Sequence, residues 1–130
     1  MARNFTFNQN DQFRVPVSAL TDGYPYEGGT PHLFWDGNEG DGTLACVVLN
    51  DEDEDGYVTI SLSGCMTIPA SEIAQPSTPV AVGGVVYLDA GPTYDTLTNL
   101  SGMRFGTVMS IDDEYDDPLV TIRIVNPSST

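Results

Sequence analysis

Lysine is missing altogether from the 130-residue sequence, and histidine and tryptophan occur once each. Four arginines face 19 acidic residues, which leaves a formal net charge of −15 at pH 7. A field of that sign repels phosphate backbones and anionic lipid surfaces, so neither nucleic acid nor a membrane is expected as a partner. No stretch approaches the roughly 20 consecutive apolar residues of a membrane span. The opening Met-Ala-Arg-Asn-Phe-Thr-Phe-Asn also lacks the apolar centre of a secretory signal. The expectation is synthesis in a cytoplasm.

Cysteine is nearly as scarce. Cys46 and Cys65 each lie in an apolar run, Leu44-Ala45-Cys46-Val47-Val48-Leu49 and Ser63-Gly64-Cys65-Met66-Thr67-Ile68. Two buried, reduced thiols packing as small hydrophobes are expected, with a disulfide as the alternative. Without further ligands the pair makes a poor zinc site. Catalytic constellations are absent as well. His32, between Pro31 and Leu33, has no Ser or Cys motif around it and reads as a polar surface residue. Close carboxylate pairs follow from an acidic composition alone, and a chain this small has little room for a sugar cleft. Gly28-Gly29 and Gly83-Gly84 lack the strand and helix context of a nucleotide site and read as turn glycines. The chain is expected to be no enzyme and to need no cofactor.

Helix periodicity is rare, because Pro or Gly interrupts most windows long enough to hold a helix. Strand signals fill the chain instead. Stretches 43–49, 57–62, 80–88, 105–111 and 119–125 are rich in β-branched and aromatic residues and are separated by turn formers. Tyr57, Thr59 and Ser61 alternate with Val58, Ile60 and Leu62, and Thr121, Arg123 and Val125 with Val120, Ile122 and Ile124. Such alternation marks sheets with one buried and one wet face. Hydrophobic residues make up 40% of the chain, ample for one core at this length. The predicted fold is all-β, a small antiparallel barrel or sandwich with long loops and an extended N-terminal arm. Residues 1–22 form the arm or edge strand, and 23–130 the single barrel-like domain.

Both acidic clusters belong to hairpin tips: Asn50-Asp51-Glu52-Asp53-Glu54-Asp55-Gly56, with Gly supplying a positive φ, and Asp112-Asp113-Glu114-Tyr115-Asp116-Asp117-Pro118. Residues 67–78 read as a crossover loop with at most one helical turn at 70–74. The first tip copies the start of a calcium loop, with acids at positions one, three and five and Gly at six. Position twelve, however, is Leu62 rather than a bidentate Glu. A solvated tip is expected; if a calcium ion binds, Asp51, Asp53 and Asp55 are the residues to hold it. In the first 42 residues Phe5, Phe7, Phe13, Val15 and Val17 sit among polar residues, followed by the aromatic, glycine-rich stretch 23–42. Arg3 and Arg14, half of the positive charge of the whole chain, lie there too. The aromatics either cap the domain's own core or lie across a neighbouring subunit. For the second case Arg3, Phe5, Phe7, Phe13 and Arg14 are the contact residues.

From Gly42 onward the residue order is more specific. Leu44-Ala45-Cys46-Val47-Val48-Leu49-Asn50-Asp51, then Asp55-Gly56-Tyr57-Val58-Thr59-Ile60-Ser61-Leu62-Ser63-Gly64, Ile68-Pro69-Ala70, Gly83-Gly84-Val85-Val86-Tyr87-Leu88-Asp89 and Arg104-Phe105-Gly106-Thr107-Val108 resemble a phage-encoded family of small β domains. Its members are described as capsid decoration (cement) proteins or as of unknown function. The likeness covers roughly residues 42–125 and includes a late Gly-x-x-Phe-Gly turn, although Gly84 stands where the family commonly has Asp. The resemblance implies a β-barrel that assembles on the outer surface of a virion, often as a homotrimer, with the major capsid protein as partner. The alternatives are another phage structural role, such as a head-fibre base or tail protein, and a calcium-binding bacterial surface module.

Overall fold

The computed structural model describes residues 11–34, 44–89 and 96–124. They form an all-β structure of ten strands in two sheets. The strands are β1 (Gln12–Pro16), β2 (Pro31–Phe34), β3 (Leu44–Val48), β4 (Tyr57–Ser61), β5 (Cys65–Pro69), β6 (Ile73–Ala74), β7 (Val85–Leu88), β8 (Leu97–Thr98), β9 (Met103–Asp112) and β10 (Leu119–Ile124). Four of them form one antiparallel sheet in the order β1-β4-β3-β2. The other six run β5-β10-β9-β7-β8-β6, antiparallel except for the short β6–β8 pair. Among the described residues no helix is long and apolar enough to cross a membrane.

The two sheets share one core. Leu33, Ala45 and Val47 of the smaller sheet pack with Val86, Leu88, Phe105, Val108, Val120 and Ile122 of the larger one. Alternation along β10 sends Val120, Ile122 and Ile124 inward and leaves Thr121 to meet Thr67 across the β5 pair, Oγ1 to Oγ1 at 3.0 Å. That is the cross-strand pairing expected on a wet face. A second apolar cluster, Val15, Leu20, Cys46, Val48, Val58 and Ile60, lies on the opposite face of the smaller sheet. Adjacent residues of β3 therefore serve different cores, Ala45 and Val47 one, Cys46 and Val48 the other. This explains why β3 reads as a continuous apolar run where β4 and β10 alternate.

Strand β9 departs from simple alternation. Its register against β7 shifts at Val86/Tyr87, and against β10 at Thr121/Ile122. The skipped residues on β9 are Phe105 and Met109. These bulges let Phe105 and Val108, three residues apart, both face the core. Phe105 and Gly106 lie within β9, in keeping with the strand expected over 105–111. A Cβ on Gly106 would lie 2.4 Å from the Arg123 carbonyl oxygen and 2.6 Å from Ile122 Cγ2, so close packing of β10 demands the glycine.

Other expectations are corrected in detail. Stretch 80–88 becomes a strand only from Val85, because Ala81–Gly84 closes a turn through Gly84 N–H to Ala81 O at 2.9 Å. The 67–78 segment contributes the end of β5 and then a 3-10 turn at Ala70–Glu72, within the single helical turn expected there. The aromatic loop 23–42 contains β2, paired along its length with β3. The arm residues Arg3, Phe5 and Phe7 lie outside the described residues, whereas Phe13 and Arg14 sit on β1, the edge strand beside β4.

Candidate interaction surface

The first acidic tip is built from its own side chains. Asp53 Oδ1 accepts the backbone N–H groups of Asp55 (2.9 Å) and Tyr57 (3.0 Å), which closes the turn around Gly56 at φ +79°. Asn50 Oδ1 accepts Thr59 N–H at 2.8 Å, and Asp51 Oδ1 accepts Gly28 N–H at 3.0 Å. Arg14 crosses from β1 to this tip. Its Nη2 donates to Asp53 Oδ2 at 2.8 Å and lies 3.7 Å from Asp55 Oδ2, while the guanidinium stacks 4.2 Å above the Tyr57 ring. The Arg14 hydrogen bond, with the Tyr57 and Asp55 N–H groups, holds the Asp53 carboxyl below the usual carboxylate range, and the same bond raises the Arg14 pKa. Asp53 and Asp55 thus face Arg14, while Asp51 faces the Gly28 N–H. Among the described residues no three His, Cys, Asp or Glu side chains are grouped to hold a metal ion.

His32 is fully buried, which overturns its reading as a surface residue. Its ring stacks on Tyr26 with centroids 5.1 Å apart and meets Tyr24 edge-on at 6.4 Å. Nδ1 lies 2.8 Å from Thr21 O, and Nε2 3.1 Å from Pro25 O. The imidazole thus ties the 21–26 loop to β2. Burial pushes its pKa down, against the upward pull of the two carbonyls. A neutral ring has one N–H and donates to only one of them. Cys46, also buried, donates its thiol to His32 O at 3.4 Å, and desolvation raises its pKa far above the ordinary thiol value. Cys65 is only partly buried, and both thiols are free, so the disulfide alternative is not realised.

Beside β1 the second apolar cluster comes to the surface. Phe13, Arg14, Val15, Phe34, Ile60 and Leu62 line a groove of about 370 Å³ over the outer face of the smaller sheet. Ile60 and Val15 are its buried floor, and Phe13 is 48% exposed. The structure therefore brings two of the five expected contact residues, Phe13 and Arg14, to one place. It adds Val15, Phe34, Ile60 and Leu62, which sequence reasoning did not single out as a site. Their alternation was visible; which of two apolar faces stays open is decided by the packing of the larger sheet. A second hollow of about 460 Å³, between Pro79, Val82, Ile111, Asp113 and Pro118, flanks the other acidic tip.

No protein-family model matches the chain, and neither the curated proteins nor the solved structures contain a match.

Proposed function

We propose that this chain is a bacteriophage head decoration (cement) protein, which binds the major capsid protein on the outer surface of the assembled shell and acts there as a homotrimer. The observation that carries the reading is the apolar groove at Phe13, Val15 and Phe34, open on an otherwise strongly acidic all-β body. An exposed apolar hollow rimmed by charge suits docking to protein rather than to nucleic acid or lipid. The likeness of residues 42–125 to decoration domains supplies the biological setting. The physics of stabilisation is mass action: a subunit that binds only the expanded shell shifts the equilibrium away from disassembly. Several modest contacts held in one trimer add through avidity.

Co-sedimentation with expanded capsids that lack the protein tests the proposal. Saturable, stoichiometric binding supports it; absence of binding sinks it and moves the weight to a tail or head-fibre role.

A further inference from the structure

We propose that the hollow beside the second acidic tip docks a basic, apolar segment of another protein. A lysine or arginine head of that segment meets Asp113, and its apolar neighbours lie against Val82, Ile111 and Pro118. This surface is separate from the groove at Phe13, and the inference stands whether or not the chain binds capsids.

The hollow is an open margin of the inter-sheet core. Its floor is Val120, fully buried on β10, and its walls include Ala70, Val80 and Ile111, which pack against the same core while staying partly exposed. Val82, which also lines it, is 64% exposed. A smaller hollow of about 190 Å³ shares Pro79 and Val80 with it. The open surface is therefore longer than one side chain or one small cation, which favours a polypeptide as occupant. The walls are held before anything binds. Gln75 accepts Val80 N–H on Oε1 at 2.9 Å and donates from Nε2 to Ala70 O at 3.1 Å. Asn99 Nδ2 donates to Thr78 O at 2.8 Å and Gly83 N–H to Val108 O at 2.8 Å, which fixes the 79–82 wall against its neighbours. Across the hollow Ala70 N–H donates to Pro118 O at 2.7 Å, and Asp117 Oδ1 accepts Ser71 N–H at 3.1 Å. A preformed surface loses little affinity to ordering.

Charge selects the occupant. Among the described residues Asp113 is the one charged side chain lining the hollow. Both ion pairs among the described residues belong to Arg14 at the first tip, so Asp113 is left without a cation there. Residues 112–118 hold five acids and no base. Asp112 and Asp117 already accept the N–H groups of Glu114 and Ser71. A carboxylate at the mouth of an apolar hollow matches lysine or arginine, whose aliphatic stem covers apolar surface while the charged head stays in water. A hydrated metal ion would leave Val82 and Ile111 uncovered, and a nucleic acid is repelled by the tip. The basic segment belongs to another protein, because this chain has no lysine and a second copy carries the same −15.

Backbone amide shifts of the full, isotope-labelled chain read the contact, with acetyl-Leu-Lys-Leu-amide as probe at up to about 10 mM. Saturable shifts are expected at Val80, Val82, Ile111 and Asp113. Acetyl-Leu-Gln-Leu-amide, without the charge, is expected to bind about three- to fivefold more weakly. Acetyl-Gly-Lys-Gly-amide, without the apolar neighbours, is expected to bind about tenfold more weakly. Asp113→Asn and Val82→Ser are each expected to weaken the Leu-Lys-Leu probe by about threefold or more, whereas Glu54→Gln, which removes an acid from the first tip, leaves it unchanged. Shifts spread evenly over both tips, equal binding of the Gly-Lys-Gly probe, or unchanged affinity in Asp113→Asn overturns the inference. Shifts at the same amides on raising the protein concentration without peptide also overturn it, by making a second copy the occupant. If Asp113→Asn disturbs the tip, Val82→Ser decides, because Val82 lies on a different loop. Capsid co-sedimentation reads the decoration proposal separately, so failure of one is not failure of the other.

Discussion

The two sheets spend their faces differently. The larger sheet buries one face against the smaller and turns Thr67, Thr121 and Arg123 outward. The smaller sheet is apolar on both sides, with Val47 in the inter-sheet core and Val48 in a second cluster. A sheet with two apolar faces and only one partner sheet must find another cover. Among the described residues Leu20 and Tyr26 supply part of it, and what they leave open is the groove at Phe13. The contrast teaches that the candidate surface is, among the described residues, the part of a core left uncovered.

The sharpest way to break the comparison is to truncate one fully buried isoleucine on each side. Ile122→Ala, in the inter-sheet core, and Ile60→Ala, in the outer cluster, are both expected to cost about 2–5 kcal/mol in urea unfolding. The match is expected because both side chains are at most 1% exposed. Phe13→Ser, at the open end of the same cluster, is expected to cost far less. An Ile60→Ala loss as small as that of Phe13→Ser would show that the outer cluster is surface and not core. Next in size is Gly106→Ala, which pushes a methyl against the Arg123 carbonyl in the larger sheet. It is expected to cost about 1–3 kcal/mol as overpacking, seen as a lowered melting temperature. A neutral result would mean that the β9–β10 approach is looser than the described geometry.

How much of this was legible depends on distance along the chain. Strands β4 and β10 announce themselves by alternation, and both acidic tips by their Asp, Asn and Gly, because hairpins are local. β2 hides behind Pro31 and His32, whose side chain reads as polar until Thr21 and Pro25, from a loop six or more residues away, supply carbonyls that let it be buried. β5 is half concealed because Met66 and Ile68 find their partners in β10, more than 50 residues on. Bulges at Phe105 and Met109 leave no local signal beyond a broken period. In the candidate site Phe13 and Arg14 stood out as aromatic and cationic among polar residues. Ile60 and Leu62 resemble any inward residues of an alternating strand, and only the tertiary arrangement shows that their face is left partly open.

The smaller sheet also carries the chain's sole histidine, so pH distinguishes the sheets. Burial lowers the His32 pKa in the folded protein below its ordinary 6.5. The unfolded chain therefore binds the proton first as pH falls, and protonation favours unfolding. The contribution of the neutral ring is fully present above about pH 6.5 and is lost as pH falls from there through the folded pKa. Urea midpoints between pH 7.5 and 5 are expected to decline for wild type. In His32→Gln, which is less stable throughout, the slope is expected to flatten; a slope unchanged in that variant would assign the titration to carboxylates instead.

The smallest effect concerns the tip beside the groove. Arg14 and Asp53 are both open to solvent, and pairs of that kind are screened by salt and contribute little. Asp53, however, also caps the turn through Asp55 and Tyr57 N–H, and that role does not depend on Arg14. Arg14→Gln is therefore expected to lower the melting temperature only slightly and only at low salt, whereas Asp53→Ala lowers it at every ionic strength because two turn N–H groups lose their acceptor. Because Asp53 is engaged by Arg14 and Asp51 by Gly28 N–H, calcium in millimolar excess is expected to leave the melting temperature of wild type unchanged. A calcium-induced rise that disappears in Asp53→Ala would instead make the tip a metal site and turn the Arg14 bridge into its competitor.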